Sequence, residues 1–150
     1  MLEQKFDIVC IQETKVSPDK LPREAKNIPG YYNYFVSAEK NGYSGVGLFS
    51  RKKPLKLENG MGIEKFDREG RFLRADFEDF ILMNIYFPNG KASLERLEYK
   101  MNFYEAFFRL CELSQSRRQK ACYLRGRKYS PQRDRPCPSQ TKRKDIRFSS

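Results

Sequence analysis

Residues 71–87, RFLRADFEDFILMNIYF, hold two strand-type runs separated only by Glu78 and Asp79. Runs this close in sequence pair as neighbouring antiparallel strands. In the first, Phe72, Arg74 and Asp76 alternate with Leu73, Ala75 and Phe77, which predicts a strand with one covered face. The second is almost continuously apolar, as a central strand of a covered sheet is. It stops at Pro88-Asn89-Gly90, a turn signal. A chain with this pair at its middle must build a sheet and something to cover it.

The flanking segments supply candidates for both. FDIVCIQET, residues 6–14, has the β-branched Ile8, Val9 and Ile11 running into the polar Gln12, Glu13 and Thr14, a short strand with a carboxylate at its end. A short helix is predicted over Leu21–Lys26, ahead of the Pro29-Gly30 turn. YNYFVSA and SGVGLFS read as strands joined by the polar EKNGY, and residues 51–70 read as turns. Ser93 can cap a helix reaching about Leu113, with Leu94, Leu97, Met101, Tyr104, Phe108 and Cys111 at three- and four-residue spacing. That stripe is expected to pack on the core. Strand, helix, several strands, helix is the order of an α/β layered sandwich.

Charge divides the chain. Residues 1–116 carry 18 Lys+Arg against 17 Asp+Glu, a net of +1, and residues 117–150 carry 12 against 2, a net of +10. The overall +11 is therefore a property of the C-terminal segment and not of a basic face on the folded part. Two parts are expected, a domain over 1–119 and a basic, disordered segment over 120–150. Cys10, Cys111, Cys122 and Cys137 lie at long irregular spacings, which suggests neither a zinc site nor a disulfide framework. No apolar run approaches the roughly 20 residues of a membrane span, and MLEQKFD lacks a signal peptide's apolar stretch. A cytoplasmic protein is the expectation. The sequence has no histidine, which removes the commonest general base.

Taken singly, the motifs are weak. GYSGVG, residues 42–47, superficially resembles a phosphate loop, but no GK[ST] follows it. Glu13 alone is more often a solvated strand-end carboxylate than a metal ligand, and Tyr86 alone more often a core aromatic than a phosphate contact.

Taken together they say more. DIVCIQETK, GYSGVGLFSR, GMGIEKFDREGRFLRADFEDF, IYFPNG and RLEYK, in this order and spacing, closely resemble the exonuclease III family of apurinic/apyrimidinic endonucleases, within the endonuclease/exonuclease/phosphatase superfamily. The resemblance spans residues 6 to about 119. It implies a partial four-layered α/β sandwich, roughly the first half, lacking the first strand and the second half, with one sheet left largely uncovered. Glu13 matches the family's acidic ligand for a divalent metal, where an oxygen donor suits Mg2+ or Mn2+. Tyr86 matches the catalytic tyrosine that touches the scissile phosphate, with Asn89 beside it. Lys15, Gly42, Tyr43, Arg71 and Arg96 match contacts to the DNA backbone, which position a duplex without reading its sequence. The implied partner is double-stranded DNA with abasic sites, cut 5′ to the lesion by metal-assisted water, together with 3′-end processing. Neither a membrane nor a protein partner is implied.

Three departures bear on activity. The W-N-V-N-G-like strand of the family is absent before Met1, its G-D-x-N element is not found after the long helix, and its late D-H pair has no counterpart in a chain without histidine. The chain by itself is expected to be an inactive fragment. The missing motif has a trace. Leu124 to Tyr129 can be encoded CTG CGG GGA CGT AAA TAC, which read one base later gives Cys-Gly-Asp-Val-Asn-Thr. The same exercise continues to Phe148, so a frameshift near residue 120 is expected. The alternative function is a non-catalytic nucleic-acid binder working through the cationic segment.

Overall fold

The computed structural model describes residues 6–115 and 120–125. Among the described residues seven strands form two sheets. The first, in the order β1-β3-β2, is antiparallel throughout and is built from β1 (Ile8–Gln12), β2 (Tyr32–Val36) and β3 (Val46–Ser50). Its register sets Cys10 and Tyr34 on either side of Leu48. The second, in the order β4-β5-β6-β7, contains β4 (Lys56–Asn59), β5 (Phe72–Asp76), β6 (Phe80–Ile85) and β7 (Lys120–Arg125). Strands β4, β5 and β6 are antiparallel, and β7 runs parallel to β6. A parallel partner requires a crossover; the 22-residue helix α3 (Leu94–Gln115) lies between β6 and β7 in the chain. The short helices α1 (Arg23–Lys26) and α2 (Glu64–Asp67) complete the fold. No helix among the described residues is long and apolar enough to cross a membrane.

Strand alternation explains the layering. Ile81, Met83 and Ile85 of β6, all fully buried, join Phe72, Phe66, Phe103 and Phe107 in one cluster, so this face of the sheet packs against α3. Leu82 points the other way, into a cluster with Leu73 and Ala75 of β5 and Val46 and Leu48 of β3. The two sheets therefore stack face to face, with α3 outside the four-stranded one. The outer face of the three-stranded sheet carries Val9, Ile11 and Phe35, all half-buried. Gly47 sits among them, where a Cβ would come within 2.7 Å of the Phe35 ring and 2.8 Å of Ile11.

Four expectations are revised. Strand β5 is covered on both faces, because Phe72 meets α3 and Leu73 and Ala75 meet the other sheet. Its charged members are sheltered by pairing. Arg74 grips Asp76 through Nε and Nη2 at 2.6 and 2.9 Å and reaches Glu58 at 3.4 Å. The turn-rich stretch contains β4 and α2. Strand β7 occupies the start of the segment read from composition as a disordered tail, while residues 126–150 lie outside the described ones.

The α3 stripe is right only in part: Cys111 packs on the core and Tyr104 stacks on Phe87, but its other four members face outward. Leu94, Leu97, Met101 and Phe108 are 85, 45, 59 and 58% exposed, and the buried face carries Phe103 and Phe107 with Tyr99, Ala106, Leu110 and Cys111. Aromatic area decides the rotation. Phe66 meets the Tyr99 and Phe103 rings edge-on at 5.3 Å, and Phe87 contacts Phe103 and Phe107 edge-on and stacks on Tyr104 at 4.6 Å.

A polar bridge lies between the sheets. Asn84 is fully buried and donates to the Ile11 and Gly47 carbonyls at 3.1 and 2.9 Å, while Gln12 Nε2 donates to Asn84 Oδ1 at 3.1 Å. This bridge fixes the end of β1, and with it the start of the candidate site.

Candidate functional site

Beyond Gln12 the chain leaves the strand through two left-handed residues, Glu13 at φ 57° and Lys15 at φ 54°. Such conformations are costly for residues with a Cβ and persist only where surrounding bonds impose them. Here the partner is the GYSG turn, since Thr14 N–H donates to Gly45 O at 3.2 Å and Lys15 N–H to Ser44 O at 2.8 Å. Gly45, at φ 91°, admits no side chain, because a Cβ would stand 2.2 Å from Thr14 Oγ1. Thr14 Oγ1 and Ser44 Oγ are buried without a hydrogen-bond partner among the described residues. The two turns lock together and present Glu13, Lys15 and Tyr43 at one end of the sandwich.

Glu13 is half-exposed and pairs with Lys15 Nζ at 3.1 Å. It also faces Tyr86. Burial raises the Tyr86 phenol above its ordinary value, the Glu13 charge and hydrogen bond push it further, and Arg71 acts in the opposite direction. At neutral pH the Tyr86 hydroxyl therefore keeps its proton and can donate it to an anion.

Arg71 is 4% exposed. Its guanidinium lies 5.3 Å from the centre of the Tyr43 ring and 4.8 Å from that of Tyr86, the arrangement of a cation held by aromatic faces. It donates to Tyr43 Oη at 2.9 Å, to the Tyr86 carbonyl at 3.2 Å and to Glu69. Arg96, at the start of α3, donates to Glu69 Oε1 at 2.7 Å and to Tyr43 Oη at 3.3 Å, and sits 4.3 Å from the centre of the Tyr99 ring. Ser93 caps α3 just before it, accepting from the Arg96 N–H at 3.1 Å. Burial alone would raise the Glu69 carboxyl, but hydrogen bonds and charge from Arg96 and Arg71 outweigh it and hold the group below the usual carboxylate range. The Glu69 hydrogen bond raises Arg96 in turn.

The structure thus links six residues singled out in the sequence, Glu13, Lys15, Tyr43, Arg71, Tyr86 and Arg96, through a continuous set of contacts. Gly42, at φ 70°, is exposed beside Tyr43. Asn89 is exposed three residues beyond Tyr86 and accepts from the Lys91 N–H at 3.1 Å. Glu69 and Tyr99 were not anticipated. Glu69 stood in the quoted EGR stretch, but nothing local marks it as the partner of an arginine 27 residues away.

The cluster suits an anion. Lys15, Arg71 and Arg96 outnumber Glu13 and Glu69 by one charge, and the Tyr43 and Tyr86 hydroxyls add donors. A divalent ion fits less well. Magnesium takes about six oxygen ligands, with carboxylates and substrate phosphates among them. Among the described residues no group of three or more histidines, cysteines, aspartates or glutamates could hold a metal. Glu13 offers one carboxylate, shared with Lys15. These residues do not build a metal site by themselves.

The chain is similar to known nucleases. The chain is 38% identical over 116 residues to an exodeoxyribonuclease of Bacillus subtilis (strain 168), covering 77% of this chain and 45% of that protein. It superposes on an AP endonuclease from Archaeoglobus fulgidus with a TM-score of 0.69 at 29% identity, covering 79% of this chain and 46% of that one. The 3′ phosphatase NExo from Neisseria, solved bound to product DNA hairpin, matches with the same TM-score at 26% identity, again over 79% and 46%. The chain thus spans less than half the length of these relatives. The model of the Endonuclease/Exonuclease/phosphatase family matches residues 1–137, and the chain belongs to that family.

Proposed function

We propose that this chain carries the phosphate-gripping half of an exonuclease III-type DNA repair nuclease. The substrate in the whole enzyme is double-stranded DNA, cleaved 5′ to abasic sites and processed at 3′ ends. The observation that carries this reading is Arg71, buried between Tyr43 and Tyr86 and tethered at three further points, beside the strand-end carboxylate of Glu13. A cation fixed in this way meets a backbone phosphate without reorganising, which is the condition for electrostatic catalysis of phosphodiester chemistry. Lys15, Arg96 and the exposed backbone at Gly42 extend the same surface along the strand.

In this reading the Tyr86 hydroxyl donates to a non-bridging oxygen of the scissile phosphate, and Arg71 neutralises charge on the same group. Glu13 would supply one ligand toward the Mg2+ or Mn2+ on which the family generally depends, and this cluster offers no second carboxylate free for it. The proton acceptor for the attacking water is not among these residues. Histidine is absent from the sequence, Glu69 is committed to two arginines and Glu13 to Lys15. The 150-residue chain therefore binds DNA without cutting it.

Purified chain, incubated with end-labelled abasic duplex and either Mg2+ or Mn2+, tests this. Intact duplex, bound with an affinity that Arg71→Ala weakens, is the expected result. A metal-dependent nick that disappears in Glu13→Ala would show that the half site suffices. Binding indifferent to Arg71 would favour the cationic segment as the sole contact with nucleic acid.

A further inference from the structure

Glu69 is the least expected member of the cluster, because a carboxylate beside a phosphate site opposes the ligand. Its geometry gives it another use. Both oxygens are engaged, Oε1 by Arg96 Nη1 at 2.7 Å and Oε2 by Arg96 Nη2 at 3.3 Å and by Arg71 Nε. On the opposite side the two guanidiniums share one acceptor, Tyr43 Oη, at 2.9 and 3.3 Å. Two like charges are thus held around a common carboxylate and a common hydroxyl, with the Glu69 side chain only 17% exposed.

We propose that Glu69 is a positioning residue for DNA binding, fixing Arg71 and Arg96 as a rigid pair that receives one backbone phosphate. Without it the two cations repel, and each long side chain regains rotamers that must be frozen again on binding. A hydroxyl that accepts from two guanidiniums has one hydrogen left to donate, so Tyr43 in the same frame offers that hydrogen to the phosphate. The inference rests on reading this surface as the DNA face.

Opposite signs separate this role from simple charge. If Glu69 acts only through its charge, Glu69→Gln relieves repulsion of DNA and tightens binding. As a positioning residue it does the reverse, and Glu69→Gln weakens binding although the chain gains a net positive charge. The experiment measures affinity of the full 150-residue chain for a short DNA duplex across a salt series. The variants are Glu69→Gln, Arg71→Ala, Arg96→Ala and Glu69→Gln placed in the Arg71→Ala/Arg96→Ala double variant.

The expected results are a several-fold loss for Glu69→Gln in the otherwise unaltered chain, and none in the double-arginine background. Each arginine variant should lower the slope of log affinity against log salt by about 1. Tighter binding by Glu69→Gln, or an equal loss in both backgrounds as general damage to the fold would give, overturns the positioning role while leaving the DNA face intact. Arginine variants that bind like the unaltered chain overturn the DNA face and this proposal with it.

Discussion

The guanidinium of Arg71 rests 4.8 Å from the centre of the Tyr86 ring and donates to the carbonyl of the same residue at 3.2 Å. The side chain proposed to meet the DNA backbone is thereby tied to the residue just beyond β6. Arg71→Lys keeps the charge but loses the planar fork and the ring contacts. We expect a loss of about 1–2 kcal/mol in stability, read as a lower urea midpoint at unchanged m value. Weaker binding to duplex DNA should accompany it.

Asn84 joins the sheets through two carbonyls and the Gln12 amide. Asn84→Ala removes the side chain to which the Ile11 and Gly47 carbonyls and the Gln12 amide, all on the three-stranded sheet, are bonded. The expected cost is on the order of 3 kcal/mol. Because β1 ends at this bridge, hydrogen exchange at Ile11–Thr14 should rise more than at Phe103–Phe107.

Stability should depend on acid through Glu69. Its folded pKa is depressed, with burial opposing the shift and Arg96 and Arg71 overcoming it. A depressed carboxylate contributes stability that is fully present above its unfolded value, near 4.5, and lost as pH falls through the lower folded value. Denaturation of the unaltered chain and of Glu69→Gln should differ at neutral pH and converge only as pH falls below the unfolded value and through the lower folded one.

The reading of residues 120–150 as the family's continuation displaced by one base has a direct check. The encoding DNA, read one base later across Leu124 to Tyr129, should yield Cys-Gly-Asp-Val-Asn-Thr. A string whose second frame lacks those residues ends that account.

How far the sequence carried these results differs by element. Period-two alternation identified β5, and short apolar runs rich in β-branched or aromatic residues identified β1, β2, β3 and β6, because such side chains must leave water. It could not show that both faces of β5 are covered, since Arg74 looks solvent-facing until Asp76 and Glu58 are seen to satisfy it. Strand β4, KLEN, is a charged edge with little apolar signal. On α3 two apolar stripes compete around one helix. Leu94, Leu97, Met101 and Phe108 match the spacing as well as Tyr99, Phe103 and Phe107 do, and only the aromatic partners Phe66 and Phe87, distant in sequence, decide between them. The candidate site residues Glu13, Tyr43, Arg71, Tyr86 and Arg96 were singled out only through the family resemblance, and the joining of Tyr43, Arg71 and Arg96 around Glu69 is a tertiary fact.

The most direct test of the central claim maps where DNA touches the chain. Hydrogen exchange of the full 150-residue protein, with and without a duplex oligonucleotide, should show protection at residues 13–15, 42–45, 69–71 and 86–96. Protection confined to residues 117–150 would contradict the account, because the nuclease-like face would then play no part in binding.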